Sequence, residues 1–425
     1  MTEPFRQSTP TPPPQGAPLE TDPYRIPLDV FDIMKPELFE QNLQWRFLER
    51  LRKEAPVHYC PDSEFGPYWS VTRYEDIQYV DTHHKIFSSE PTIVLQDRHE
   101  DFQTENFISM DPPKHDEQRR TVQPVVGPRN LAVLEAEIRG RVQVILDSLP
   151  TGVEFNWVEK VSIELTTQML ATLFDFPFED RYNLTYWSDV ATARVEPGGL
   201  VETDEERHVI LRECLEYFTR LWQERAAQPP SNDMLSMLAH GDATKDMKPM
   251  EFLGNLILLI VGGNDTTRNS ISAGVLALNQ YPAEYDKLRA NHDLVPNMVS
   301  EMIRWQTPLS YMRRRAVCDT EIGGQKIKKD DKVLMWYASG NRDEEIFDDA
   351  DDFIIDRPNA RRHMAFGFGI HRCMGNRVAE MQLRILWEEI LQRFDRIEVV
   401  GEPVRVRSTF VQGYAELPVV LHPVA

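Results

Sequence analysis

A single long helix constrains the fold of this chain more than any other feature. Apolar residues recur at helical spacing from about Pro249 to Tyr281, and Pro282 ends the pattern. At 1.5 Å per residue such a helix would be about 50 Å long, enough to cross a whole domain. Its apolar run, 252–261, is about half of what a bilayer span needs, and it leads into "GGNDTTRNS". We therefore expect a soluble, cytoplasmic protein.

The rest of the chain is predicted to be mainly helical. Amphipathic helices are expected at 42–56, 130–150 and 206–230, and proline ends each of them. Short strands are expected at 67–72, 332–338 and 416–423. The proline-rich residues 1–22 are predicted to be a disordered arm, and residues 23–425 a single domain.

The charge and the cysteine content narrow the range of possible functions. A net charge of −21 argues against nucleic acid and anionic membranes as partners. The charge is uneven, however, because residues 357–377 hold five arginines and no acid. This stretch is either ordinary surface variation or a docking face for an acidic partner. The four cysteines form no CxxC pair, which excludes a zinc ribbon, a thioredoxin-type site and a CxxCH haem attachment.

The stretch "FGFGIHRCMG", 366–375, places Cys373 among three glycines, directly before a predicted helix. Glycines let the backbone turn tightly and approach a flat ligand, and a helix N-terminus stabilises a thiolate. The thiol could be a buried spectator, a nucleophile or a metal ligand. His371 is only two residues away, a separation at which a base rarely faces its nucleophile. Iron held by one thiolate fits the residues better.

The same stretch resembles the haem-binding loop of the cytochrome P450 superfamily, FxxGxxxCxG. Phe366, Gly369, Cys373 and Gly375 match that pattern position by position. The resemblance implies that Cys373 is the axial ligand of a haem b iron. It also implies that the cofactor contacts Phe366, Gly367 and Gly375.

The motif "GGNDTT", 262–267, lies in the middle of the long helix. Two glycines and a hydroxyl weaken the helical ladder locally, and the preceding apolar run suggests that the acid–alcohol pair is buried. The superfamily carries A/G-G-x-D/E-T at this place. The resemblance implies that Thr266 stabilises the activated oxygen and that Asp265 feeds the proton relay, while the Cys373 thiolate donates electron density.

Two further motifs match the superfamily. In "EMIR", Glu301 and Arg304 lie one helical turn apart, and in isolation they would be read as a surface ion pair. The resemblance implies instead a buried structural network that Arg357 completes. In "MDPPKHDEQRR", His115 and Arg119 are also one turn apart. The resemblance assigns four side chains to the haem propionates, with a possible shift of one position at the third: His115, Arg119, Arg314 and His371.

The fold implied is mainly α, a triangular helical prism with small β-sheets and haem between the long helix and the cysteine loop. "GNLILLIVGGNDTTRNS" and "HRCMGNRVAEMQLRILWEEI" look like the bacterial branch that hydroxylates the terminal (omega) carbon of alkanes and fatty acids. A terpene or sterol hydroxylase and a haem-binding sensor or carrier are the alternatives. The apolar residues expected to contact the substrate, together with one glycine, are Ile93, Val94, Leu95, Val261, Gly262, Leu309, Met312 and Phe410.

The chain contains no flavin or iron–sulfur segment, so electrons must come from another protein. The superfamily's soluble bacterial members receive them from a ferredoxin and its reductase, and they use dioxygen. The resemblance therefore implies a ferredoxin partner, and the basic stretch beside Cys373 is its expected docking face. Arg119, Arg372 and Arg377 are the residues predicted to lie there.

Overall fold

The structure is a computed structural model that describes residues 19–424. Most of the predicted arm, residues 1–18, lies outside the described residues. Residues 19–22 lead into a turn at Pro23–Arg25, which the Asp22 carboxylate caps by accepting from the Tyr24 N–H. Leu19 packs against a hydrophobic cluster. Leu19 and Asp22 therefore contact the rest of the described fold.

Helices dominate the described part of the chain. The fourteen α-helices found there are α1 Pro36–Glu40, α2 Gln44–Glu54, α3 Tyr74–Thr82, α4 Lys114–Val122, α5 Pro128–Asp147, α6 Glu164–Phe174, α7 Tyr182–Thr192, α8 Asp204–Ala226, α9 Met234–His240, α10 Pro249–Gln280, α11 Pro282–Ala290, α12 Val295–Gln306, α13 Tyr337–Gly340 and α14 Asn376–Arg393. A π-helical turn, Val158–Ile163, leads directly into α6.

The strands are short. Those within residues 19–424 are β1 Val57–Cys60, β2 Tyr68–Val71, β3 Phe87–Ser88, β4 Phe155–Asn156, β5 Met312–Ala316, β6 Thr320–Ile322, β7 Gln325–Ile327, β8 Lys332–Met335, β9 Phe394–Val399, β10 Val404–Arg405, β11 Tyr414–Glu416 and β12 Pro418–Pro423. The largest sheet has the order β1-β2-β8-β5-β3, in which only β2 and β8 are parallel. The strand predicted at 332–338 ends at Met335, because the chain turns at buried Trp336 into α13.

The long helix predicted from the sequence is α10. Pro249 occupies its first turn, where a missing N–H costs nothing, and the helix ends at Gln280. Its 32 residues span about 48 Å, and it packs against α6, α7, α12 and α14. No helix within residues 19–424 is both long and apolar enough to cross a bilayer.

The cysteine loop lies between two hydrophobic cores. The larger core is helical and takes in α5, α6, α10, α12 and α14, while a smaller one packs α3 against the five-stranded sheet. Phe366 and Met374 pack against the helical core, and Phe368 packs against the smaller one. The loop is therefore held from both sides, facing α10.

Candidate active site

A cavity of about 330 Å³ separates α10 from the cysteine loop. α10 supplies one wall, which includes Val261, Gly262 and Thr266. The loop supplies the opposite wall, which includes Phe366 and Cys373. The structure thus brings together the two motifs that sequence analysis singled out, although Thr266 and Cys373 lie 107 positions apart in the chain.

Backbone geometry turns the cysteine towards the cavity. Gly367 and Gly369 have φ values of +64° and +63°, a region that side chains other than glycine rarely adopt. A Cβ on Gly369 would also lie 2.7 Å from the backbone oxygen of Asp81. The Cys373 N–H donates to the Phe366 oxygen at 2.8 Å and closes the loop. The exposed surface of Cys373 therefore faces the cavity.

The protein alone does not favour the thiolate form of Cys373. Enclosure within the protein raises the pKa of the thiol and outweighs the lowering by the Gly375 and Asn376 N–H groups and by Arg119. The helix N-terminus therefore acts in the direction that the sequence predicted, but it is the weaker effect. A cation at the sulfur would reverse the balance, because a coordinated thiol is deprotonated.

Cationic and imidazole side chains gather at the edge of the cavity. Arg119, Arg314 and His371 line it. His115 lies behind His371, with ring centroids 4.3 Å apart, and its Nδ1 donates to the Asp116 carboxylate. Within residues 19–424, His115 Nε2 and both ring nitrogens of His371 are buried and lack a hydrogen-bond partner. Buried polar atoms normally have a hydrogen-bond partner, so these three nitrogens need a partner that the described residues do not supply.

Ion pairs distinguish the three consecutive arginines, 313–315, from one another. Arg313 pairs with Asp97 at 2.5 Å, and Arg315 pairs with Asp330 at 2.7 Å. Arg314 lies at the cavity and is 1% exposed. The register chosen from the sequence is the one that brings an arginine to the cavity.

The donor set fits haem. Among the described residues no group of three or more His, Cys, Asp or Glu side chains could hold a metal ion, so a metal at Cys373 must bring its other ligands. A Cβ built on Gly262 would meet no described atom within 4 Å, and one on Gly375 would meet only the Cys373 sulfur, at 3.9 Å. Both walls are thus open to a flat group. Arg119 and Arg314 suit its carboxylates.

The "GGNDTT" segment divides its residues between the cavity and the protein interior. The Thr266 hydroxyl lies at the cavity and donates to the Gly262 oxygen at 2.9 Å. Gly263 allows α6 to approach, because a Cβ there would lie 2.6 Å from Leu170. Asp265 is fully buried and points away from solvent. It pairs with Arg268 at 2.9 Å, and burial raises its pKa to about 6.

The "EMIR" residues form a buried network behind the cysteine loop. Glu301 and Arg304 are 0% exposed and pair at 2.7 Å, and Arg357 Nε donates to both Glu301 oxygens at 3.0 and 3.1 Å. Arg304 also donates to the Asn341 oxygen at 2.7 Å. The Asn341 side chain in turn accepts from the Met364 N–H, which begins the approach to the loop. The network therefore positions the segment that carries Cys373.

Six of the eight residues expected to contact substrate line the cavity, and two do not. The six are Ile93, Val261, Gly262, Leu309, Met312 and Phe410. Leu95 is fully buried in a different core, beside Trp336 and Tyr311, and Val94 lies between it and Ile93. Leu95 thus belongs to that core rather than to the cavity. In a loop without regular structure, the sequence could not show which side chain points inward.

Sequence reasoning missed the helices that cover the cavity. α6 and α7 contribute wall residues that carry no motif, so only the fold could reveal them. They are Met169, Leu170, Leu173, Ala191 and Thr192. Asp81 on α3 was also missed, although it accepts from Arg314, Tyr337 and the Phe368 N–H.

Comparison with known proteins identifies the family. A cytochrome P450 family model matches residues 199–405. Over 404 residues the chain is 37% identical to the linalool 8-monooxygenase of Pseudomonas putida. The aligned region covers 92% of this chain and 99% of that enzyme. The chain belongs to the cytochrome P450 family. It is an oxidoreductase of the monooxygenase class, and its cofactor is haem b.

Two other cytochrome P450 comparisons extend this result. The methyl-branched lipid omega-hydroxylase of Mycobacterium tuberculosis is 32% identical, over 87% of this chain and 89% of that enzyme. The solved structure of cytochrome P450-153 from Novosphingobium aromaticivorans has a TM-score of 0.87 and 45% identity, over 92% of this chain and 99% of that chain. The helical prism with small sheets expected from the sequence is therefore confirmed as the cytochrome P450 fold.

Proposed function

We propose that this cytochrome P450 hydroxylates the terminal (omega) carbon of medium-chain alkanes, alcohols or fatty acids. The observation that carries the proposal is the apolar wall of the cavity above Cys373. Aliphatic side chains come from four separate parts of the chain, such as Ile93, Leu170, Val261 and Leu309. A pocket with so few polar groups suits a long apolar substrate. A relative of the chain is named as a methyl-branched lipid omega-hydroxylase.

Terminal attack requires that the pocket orient the chain end. A primary C–H bond is stronger than its secondary neighbours, so intrinsic reactivity would favour the next carbon. Positioning can overcome this preference, because a held geometry makes one C–H bond the nearest reactant. Val261 and Leu309 are proposed to hold the last carbons of the substrate, with Met312 and Phe410 contacting the chain further out.

Haem b, when bound, activates dioxygen and allows one oxygen atom to enter a C–H bond. Cys373 is proposed to hold its iron through Sγ, and Phe366, Gly367 and Gly375 to lie against its face. Arg119, Arg314 and His371 are proposed to bind the propionates, with His115 supporting His371. Red-shifted absorption of the reduced, CO-bound protein, lost in Cys373→His, checks the thiolate ligand.

Thr266 and Asp265 are proposed to deliver protons to the cavity. Thr266 Oγ1 is the hydroxyl at the cavity surface, and Asp265 lies next to it in the chain with a pKa of about 6. An acid with a pKa near the working pH is both available and able to release its proton. Asp265 can therefore hold a proton that Thr266 Oγ1 passes on.

The electron donor is proposed to be a ferredoxin that docks beside Cys373. Arg372 and Arg377 are both exposed, and Arg119 donates to the Arg372 backbone oxygen. These side chains present positive charge on a chain whose net charge is −21. An acidic protein would be attracted to this face of the molecule.

A terpene hydroxylase is the second candidate, because a relative at 37% identity is named as a linalool 8-monooxygenase. Product analysis on decane, dodecanoic acid and limonene, with a surrogate ferredoxin and reductase, separates the two. Omega-hydroxylated decane or dodecanoic acid as the main product supports the proposal. Turnover of limonene alone, or attack mainly at internal carbons, overturns it.

A further inference from the structure

One arginine inside the helical core serves two carboxylates. Arg268 Nη2 donates to Asp265 Oδ1 at 2.9 Å and to Asp189 Oδ1, also at 2.9 Å. Asp265 and Arg268 both lie on α10, whereas Asp189 lies on the last turn of α7. The side chains of Asp265, Arg268 and Asp189 are 0%, 7% and 22% exposed, respectively. The group therefore joins the central helix to a helix that covers the cavity.

The charges of this group do not balance when both acids are ionised. The charged side chains described around Asp265 are Arg268 and Asp189, so two carboxylates face one guanidinium. The other described groups that act on Asp265 are neutral: the Asn264 amide at 3.1 Å, the Thr192 hydroxyl at 3.3 Å and the Ser188 hydroxyl. An excess negative charge is costly in a buried site, and a proton on one carboxylate removes it.

We propose that Asp189 is a positioning residue that keeps Asp265 able to carry a proton near neutral pH. Asp189 accepts one of the two hydrogen bonds that Arg268 Nη2 donates, and its charge repels a second negative charge nearby. Arg268 is thereby prevented from holding Asp265 permanently ionised. This inference rests on the proposed role of Asp265 in proton delivery. It adds a residue on a different helix that decides whether Asp265 can perform that role.

The position of Asp189 links the supply of protons to whether a substrate occupies the cavity. Ala191 and Thr192, on the same turn of α7, line the cavity wall. Thr192 Oγ1 also donates to Asp265 Oδ2. A substrate held in the cavity therefore contacts the turn that carries Asp189. Any displacement of that turn changes how Arg268 is shared and, with it, the protonation of Asp265.

The direct test is the protonation of Asp265 in the resting, oxidised holoenzyme. Infrared pH titration gives the midpoint of the protonated carboxyl band that disappears in Asp265→Asn. In Asp189→Asn we expect this midpoint to fall by about one pH unit, because a like charge is removed and Arg268 pairs with Asp265 alone. Asp189→Glu should retain the wild-type midpoint. The exposed acid Glu216 on α8 supplies the control, Glu216→Gln.

Turnover supplies an independent readout. Above both midpoints, a fall of one pH unit lowers the protonated fraction about tenfold, so Asp189→Asn should divert oxygen consumption from product to peroxide. In an Asp265→Asn background, Asp189→Asn should add no further change to the pH profile. A merely structural role for Asp189 would lower activity in both backgrounds without moving the profile.

The outcomes separate this inference from the proposed function. If Asp265→Asn leaves oxygen coupled to product, the proton relay itself is wrong. If Asp265→Asn uncouples the enzyme but Asp189→Asn moves neither the infrared midpoint nor the coupling, only the role of Asp189 is wrong. A lowered midpoint together with uncoupling in Asp189→Asn supports both.

Discussion

Asp81 and Arg314 form an ion pair at 2.7 Å in which each side chain is 1% exposed. The second oxygen of Asp81 accepts from the Tyr337 hydroxyl at 3.0 Å and from the Phe368 N–H at 2.7 Å. One carboxylate on α3 thus orients a cavity arginine and anchors the cysteine loop. The positions of the cavity arginine and of the cysteine loop therefore both depend on a residue that lies outside the loop and does not line the cavity.

Replacing Asp81 should lower the stability of the fold and weaken the retention of haem. In Asp81→Asn the guanidinium of Arg314 loses its buried countercharge, and we expect the free energy of unfolding to fall by about 3–5 kcal/mol. Haem retention during gel filtration should fall with it. Denaturant titration and the haem-to-protein absorbance ratio measure the two effects. Glu75→Gln, at an exposed acid on the same helix, is the control, and equal loss in both variants would contradict the assignment.

Thr266→Ala should uncouple oxygen consumption from product formation. The variant removes the hydroxyl at the cavity surface while keeping α10 intact, since among the described residues the Thr266 hydroxyl donates only within its own helix, to the Gly262 oxygen. We expect product per oxygen to fall and peroxide to rise by about tenfold or more. Thr266→Ser keeps the hydroxyl and should restore coupling. A Thr266→Ala enzyme with unchanged peroxide yield would show that another group delivers the proton.

His363 should make the protein less stable in acid. Burial, together with the charges of Arg304 and Arg372, lowers the pKa of His363 to about 3, so the native protein keeps the ring neutral. In the unfolded chain the ring takes up a proton near pH 6.5. The contribution of the neutral His363 ring to the free energy of unfolding is therefore complete above pH 6.5 and is lost as the pH falls.

Comparing His363→Gln with the wild type isolates this effect. Between pH 7.5 and pH 5.5 the wild-type free energy of unfolding should fall by about 1 kcal/mol more than that of the variant. Urea titration at the two pH values measures the difference. His422→Gln, at an exposed ring, should keep the wild-type pH dependence. Parallel curves for His363→Gln and wild type would show that His363 does not resist protonation.

Charge reversal at the cysteine loop should slow reduction by ferredoxin. In Arg372→Glu or Arg377→Glu the attraction to an acidic partner is lost, so we expect a slower second-order rate and a weaker dependence on salt. Stopped-flow reduction at low and high ionic strength measures both. Arg220→Glu, at an exposed residue of α8, makes the same change in net charge elsewhere. Equal slowing in all three variants would point to net charge rather than docking.

Motifs whose residues lie close in the chain could be predicted from the sequence. The pattern of α10, the glycine-rich loop around Cys373 and the Glu301–Arg304 spacing all depend on near neighbours, and the structure places them as expected. The assembly of α10 and the cysteine loop around one cavity came from the resemblance to a family, because no periodicity links residue 266 to residue 373.

Contacts between distant, unmarked residues could not be predicted. Asp81 and Asp189 lie on ordinary amphipathic helices, and nothing near them in the sequence sets them apart from other acids. Leu95 was assigned to the cavity because an irregular loop offers no rule for side-chain direction. In each case the deciding contact is with a residue more than seventy positions away.

The adjacent glycines of α10 have different tolerances for change. An added methyl group at Gly262 enters open space, whereas at Gly263 it presses on Leu170. A larger side chain at residue 262 would therefore take up space in the cavity at little cost to the fold. Residue 263 can change only if α6 changes with it. Two neighbouring codons thus differ in evolutionary freedom, and the first is the simpler starting point for altering which substrates the enzyme accepts.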